Sequence, residues 1–129
     1  MKLKLIFTHE NISKPIISET VLKTKIPINI LEAKVTPDAG EMIVEVLAMG
    51  EKLEEIVKNF REYGVIVEKI PSTIKIDYEK CISCGACVSS CPVQAIIQDS
   101  NWEIEFNEEK CIRCLICVNS CPMMAIKVL

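Results

Sequence analysis

Cys81-Ile82-Ser83-Cys84-Gly85-Ala86-Cys87-Val88-Ser89-Ser90-Cys91-Pro92 and Cys111-Ile112-Arg113-Cys114-Leu115-Ile116-Cys117-Val118-Asn119-Ser120-Cys121-Pro122 are two copies of one pattern, and together they contain all eight cysteines of a 129-residue chain. Laid over each other without a gap, residues 76–96 and 106–126 agree at twelve of twenty-one positions, with Glu79-Lys80 against Glu109-Lys110 and Ala95-Ile96 against Ala125-Ile126. The second half of the chain is therefore an internal duplication built around cysteine.

No cysteine precedes residue 81, and the length accommodates two small domains, so the expected division is 1–71 and 72–129. Eight cysteines in a short chain also fit a disulfide scaffold, but Met1-Lys2-Leu3-Lys4-Leu5-Ile6-Phe7 alternates like a strand and does not read as a signal peptide. The thiols are accordingly expected to be reduced ligands in a cytoplasmic protein. No apolar run approaches the roughly 18 residues of a membrane span, so no membrane partner is expected. The formal charge is −3 with the thiols counted as neutral. Thiols serving as ionised ligands would make it more negative, which disfavours nucleic acid and suits docking on a basic patch of a partner protein.

Working back from the duplication, the first seventy residues read as alternating elements. Leu3, Leu5 and Phe7 alternate with Lys2, Lys4 and Ile6, the period of a half-buried strand. Ser13 is placed to cap a short helix through Ile17, Val21 and Leu22, with Pro15 in its first turn. Ile28–Val35 and Met42–Met49 read as two strands of a hairpin around Pro37-Asp38-Ala39-Gly40. Leu53, Ile56, Val57, Phe60 and Tyr63 recur at helical spacing, Gly64 stands at the C-terminal stop, and Val65-Ile66-Val67 opens a fourth strand. The predicted order is β-α-β-β-α-β, an α+β sandwich with a four-stranded sheet covered on one face by two helices.

The second predicted strand carries Asn29-Ile30-Leu31, and with its place before a hairpin and ahead of eight cysteines the chain resembles the NIL-domain ferredoxins. In these a NIL domain, which shares the ferredoxin-like βαββαβ fold of the ACT domains, precedes a bacterial-type dicluster ferredoxin. The resemblance implies two [4Fe–4S] clusters, low-potential electron transfer and a sulfur-related pathway in an anaerobe, such as sulfide assimilation into homocysteine. NIL domains of methionine importers bind methionine, so it also implies a candidate sulfur amino acid site in the first domain.

The cysteine spacing resembles that of bacterial two-cluster ferredoxins, in which three closely spaced cysteines wrap one cube and the fourth ligates the other. That resemblance implies one cluster on Cys81, Cys84, Cys87 and Cys121, and another on Cys111, Cys114, Cys117 and Cys91. Zinc also uses Cys-x-x-Cys pairs, but a tetrahedral site has no use for the third and fourth cysteine of each run. A strand at Ile74–Tyr78 is expected to pair with Ile126–Leu129, and Ile96-Ile97-Gln98 with Trp102-Glu103-Ile104 around an Asp99-Ser100-Asn101 turn, the two pairs related by the pseudo-twofold of the duplication. The copies differ where Gly85-Ala86 becomes Leu115-Ile116. Apolar cover disfavours the more charged reduced state, so the cluster on Cys111, Cys114 and Cys117 is expected to have the lower potential, with Arg113 opposing.

His9, at a strand end, reads as a surface residue, Met42, Met49, Met123 and Met124 as core fillers, and Trp102 as cover over a cluster. No phosphate loop, nucleophile elbow or carboxylate pair is present, so no catalytic residue is expected. Two functions remain: an electron carrier whose first domain selects the partner, and a module that senses methionine or homocysteine. A sheet edge of the first domain is also open to a second copy.

Overall fold

The computed structural model describes residues 1–129, which divide into two compact units, Met1–Pro71 and Ser72–Leu129. The first contains β1 (Lys2–Phe7), α1 (Ile16–Thr24), β2 (Ile28–Val35), β3 (Gly40–Val46), α2 (Glu51–Glu62) and β4 (Ile66–Ile70). The strands form one antiparallel sheet in the order β2-β3-β1-β4. Leu3, Leu5 and Phe7 of β1 and Val44 and Val46 of β3 share a core with Ile16 of α1 and Leu53, Ile56, Val57 and Phe60 of α2. The predicted βαββαβ sandwich is present, and the chain is α+β.

Helix α2 forms where its apolar spacing, its acidic first turn (Glu51, Glu54) and Arg61 in the last turn all agree. It ends in a Schellman arrangement: Gly64 has φ 83°, and the Val65 N–H donates to the Phe60 carbonyl at 3.1 Å. Between the helices the buried Thr20 hydroxyl donates to Asn59 Oδ1 at 2.8 Å, so neither polar side chain is buried without a partner.

Several details depart from the sequence reading. Helix α1 begins at Ile16 with Pro15 in the cap position and no side-chain cap; Ser13 lies in the preceding turn. Its buried residues are Ile16 and Thr20, which at 100° per residue leaves Leu22 in solvent. Strand β3 spans Gly40–Val46 because Gly40 already pairs with Phe7 and Val35. Met49 therefore lies beyond it and is 82 % exposed, so it fills no core. A register shift between Ile30 and Glu32 breaks the simple alternation of the edge strand β2.

The second unit contains β5 (Ile74–Ile76), α3 (Ala86–Ser90), β6 (Ile96–Gln98), β7 (Ile104–Phe106), α4 (Ile116–Ser120) and β8 (Ile126–Val128). β5 pairs antiparallel with β8, and β6 with β7. The duplication thus appears as two small ribbons, each pairing the first strand of one repeat with the last strand of the other. The second ribbon uses Ile104–Phe106 and not residues 102–104: Trp102 sits in the turn at φ 66°, and at 71 % exposure covers nothing. The buried core is small, comprising Ile74, Cys87, Ile96, Ile104 and Ile126. No helix of the chain is long and apolar enough to cross a membrane.

Candidate metal centre

The two cysteine runs curl because each places left-handed residues at the same three positions. In the first these are Ser83 (φ 56°), Gly85 (φ 76°) and Gln94 (φ 54°); in the second, Arg113 (φ 58°), Leu115 (φ 61°) and Met124 (φ 48°). Only one of the six is glycine, so the curl carries backbone strain of about 1 kcal/mol or more at each of the others. The third cysteine of each run lies in the short helix α3 or α4. The fourth, Cys91 or Cys121, is the extended residue that ends that helix. Helices α3 and α4 contact each other, bringing the two runs together.

All eight cysteines are free thiols. Cys81, Cys84, Cys87 and Cys121 line one cavity of about 370 Å³, counting its opening to solvent. Cys111, Cys114, Cys117 and Cys91 line a second of about 350 Å³. The remaining walls are almost wholly apolar, with Ile76, Ile104 and Ile126 in the first and Ile74, Ile96 and Phe106 in the second. No three His, Cys, Asp or Glu side chains converge in a way that would hold a single metal ion; each quartet encloses a space.

The sulfurs are also served by backbone donors in a repeated pattern. Ser83 N–H reaches Cys81 Sγ at 3.5 Å and Arg113 N–H reaches Cys111 Sγ at 3.4 Å. Ala95 N–H reaches Cys91 Sγ at 3.2 Å and Ala125 N–H reaches Cys121 Sγ at 3.3 Å. Burial by itself raises the Cys91 thiol, but the N–H groups of Val93, Ala95, Ile96 and Gln94 outweigh it and hold that thiol below its usual value. Burial pushes Cys87 up, and pushes Cys117 up to about 11 with help from Cys111 and Cys114. Cys117 also feels Cys87 of the other quartet, so the two thiol groups are electrostatic neighbours. Four thiols around an apolar space, with N–H donors aimed at sulfur, are a donor set that fits an anionic iron–sulfur cube.

Residues 74–128 match the family of 4Fe-4S dicluster domains, and residues 2–69 match the NIL domain family. The chain belongs to the NIL-domain ferredoxins. It is 40% identical over 97 residues to the L-aspartate semialdehyde sulfurtransferase iron-sulfur subunit of Methanocaldococcus jannaschii, covering 75% of this chain and 73% of that protein. The protein of the same name from Methanosarcina acetivorans is 38% identical over 104 residues, 81% of this chain and 78% of that one. Over 72 residues, 53% of this chain, it is 35% identical to the methionine import ATP-binding protein MetN 1 of Paraburkholderia xenovorans, of which that stretch covers 21%. This NIL-domain ferredoxin thus carries an iron–sulfur domain, and two of its relatives are named as iron–sulfur subunits of a sulfurtransferase.

The side chains around the cavities correct several expectations. Leu115 is half-buried, lines the second cavity and packs on the small core, whereas Gly85 lines the first cavity without a side chain. Ile116 is exposed and shields nothing. Met123 lines the mouth of the first cavity and Met124 is 75 % exposed, so neither is a core filler. Leu115→Gly is expected to relax a strained backbone and admit water to the second cavity. In a spectroscopically resolved titration of the loaded protein the midpoint of that cluster should rise by roughly 30–60 mV, a three- to tenfold change for one electron. An unchanged or lowered midpoint would contradict the shielding argument.

Sequence reasoning missed Thr73, Gln98 and Glu108. Gln98 Nε2 donates to the Ser83 carbonyl at 2.9 Å and to the Trp102 carbonyl at 3.1 Å, bracing the first run. Glu108 accepts from the Thr73 N–H at 2.7 Å and from the Thr73 hydroxyl at 2.8 Å. The signal for Glu108 lay in the repeat itself, where Tyr78 stands opposite it.

Proposed function

We propose that this chain is a low-potential electron carrier with two [4Fe–4S] clusters, delivering single electrons to a catalytic partner of the kind its relatives' names describe, a sulfurtransferase acting on an amino acid semialdehyde. One cluster is held by Cys81, Cys84, Cys87 and Cys121, the other by Cys111, Cys114, Cys117 and Cys91. The observation that carries this reading is the grouping of the eight thiols into two quartets, each taking three cysteines from one run and one from the other. When bound, the clusters supply one-electron redox chemistry without substrate chemistry of their own.

The chain's residues do the remaining work. Backbone N–H groups compensate the thiolates, apolar walls limit water, and the contact of α3 with α4 keeps the quartets adjacent. The acidic surface meets a basic patch on the partner, so transfer slows as salt screens it. The first unit selects the partner, and the exposed edge strand β2 offers a pairing edge to a second copy.

A second reading, a sulfur amino acid sensor, is favoured by one observation. The first unit has an open groove of about 390 Å³, counting its opening to solvent, lined by Phe7, Ile12, Ile16, Val35 and Met42 together with Lys14 and Ser18. The two separate in one experiment. Reduced protein is mixed anaerobically with the sulfurtransferase catalytic subunit, with and without methionine or homocysteine. The carrier reading expects reoxidation at a rate that falls with salt and ignores both amino acids. No reoxidation, with calorimetric binding of either amino acid, would replace it with the sensor.

A further inference from the structure

The 30-residue repeat of the second unit places Tyr78 and Glu108 at the same position, two residues after β5 and β7 respectively. Each reaches across to the opposite repeat. The Tyr78 hydroxyl donates to the Ile104 carbonyl at 3.0 Å, and Ile104 lines the first cavity. The Glu108 carboxylate grips Thr73 through its N–H at 2.7 Å and its hydroxyl at 2.8 Å, and Thr73, 0 % exposed, lines the second cavity. The single Ser72 hydroxyl proton goes to the Ile74 carbonyl at 2.8 Å, and that hydroxyl lies 3.3 Å from Glu108 Oε2. Glu108 is further tied to the second run because its carbonyl accepts the Cys111 N–H at 3.2 Å. The two latches are mechanically alike and electrically different. One puts a neutral phenol behind a cavity wall and the other a carboxylate.

From this asymmetry we infer that Glu108 sets the potential of the cluster in the second cavity, as a fixed negative charge held one residue behind the wall by Thr73. The inference rests on the reading that this cavity holds a [4Fe–4S] cluster. Reduction adds an electron to an already anionic group, so a nearby carboxylate opposes it, and the low-dielectric wall between them weakens the opposition less than water would. At the matching position the first cavity has the neutral Tyr78, while one residue earlier Asp77 stands opposite the neutral Asn107. The effect is separate from that of Leu115, which acts through water and not through charge.

The test is an anaerobic reductive titration of the loaded protein, with the clusters resolved by electron paramagnetic resonance. Glu108→Gln keeps the length and an acceptor for the Thr73 N–H but removes the charge. It is expected to favour reduction of the second cluster about tenfold, a rise of about 59 mV for one electron, and to move the first by less than about twofold. Glu108→Asp keeps the charge and weakens the grip, and is expected to leave both within about twofold. A purely structural latch would give the reverse order, with Asp shifting the second cluster and Gln silent, and that result overturns the inference. Tyr78→Glu supplies an independent arm should the Glu108 variants load poorly: it is expected to disfavour reduction of the first cluster about tenfold, and an unmoved first cluster counts against the inference. A parent protein without an iron–sulfur signal removes the reading of the cavity and the inference with it. A loaded parent whose second midpoint ignores Glu108→Gln removes the inference alone.

Discussion

A Cys91→Ser protein is expected to lose the cluster bound by the second cysteine run while keeping the one bound by its own. Cys91 sits in the first run, but it lines the cavity of Cys111, Cys114 and Cys117. Its extended backbone at the end of α3 turns it away from Cys81, Cys84 and Cys87. Serine is near in size but a poor ligand for iron, so the variant should retain about half the iron and half the electron capacity of the parent, as expected for loss of one of two independent cubes. The assignment is fixed by pairing substitutions. Cys91→Ser with Cys114→Ser should lose no more than either alone, because both strike one cluster, whereas Cys91→Ser with Cys84→Ser should lose both. Iron and sulfide analysis checks this, and the opposite pattern of additivity would mean that each run binds its own cube.

Stripping the clusters altogether is expected to unfold residues 72–129 and leave residues 1–71 folded. The reason is the unequal supply of buried apolar groups. The first unit buries fourteen hydrophobic residues in one core; the second has four isoleucines and Cys87 in its core, with Ala95 and Ala125 buried besides. Each of those isoleucines contributes about 1.5–3 kcal/mol by burial, too little to order a unit of this length. Bound metal must supply the difference, as structural zinc does with about 10–16 kcal/mol in other small folds. Burial raises the Cys87 and Cys117 thiols, so ionising them as ligands is costly until bound metal compensates the thiolate charge. Amide hydrogen exchange before and after anaerobic chelation provides the check. Protection should vanish across β5 to β8 and persist in β1, β3 and α2. Retained protection in β6 and β7 would show a fold that stands without its clusters.

Much of this was legible in the sequence because its strongest signals are local. Period-two and helical spacing mark β1 and α2 without help from distant residues, and the doubled cysteine run announces both the repeat and the donor set. The errors fall where distant contacts decide. Ser13 has the chemistry of a cap, yet packing of Ile16 and Thr20 sets the start of α1 later. Met49 continues an apolar run, yet β3 stops at Val46, just before Leu47-Ala48-Met49 and the left-handed Gly50. Trp102 looked like cover because it is large and apolar, but its backbone is committed to a turn whose N–H reaches the Asp99 carbonyl at 3.1 Å. In the site, the expected quartets came from the resemblance to two-cluster ferredoxins, whereas the Glu108–Thr73 grip joins residues 35 apart and no local pattern announces it. What the repeat did display was the mismatch of Tyr78 with Glu108, one of three positions in the overlay of 76–96 on 106–126, with Asp77/Asn107 and Ser83/Arg113, where the two copies differ in charge.

The central claim, that two cross-ligated cubes make this chain a one-electron carrier, is tested most directly by a stepwise anaerobic reduction of the parent protein followed by electron paramagnetic resonance. The account predicts uptake of two electrons in two resolved steps, the second at lower potential, with a signal broadened by interaction between neighbouring clusters once both are reduced. Redox silence, or a single isolated cluster with half the cysteines unliganded, would contradict it.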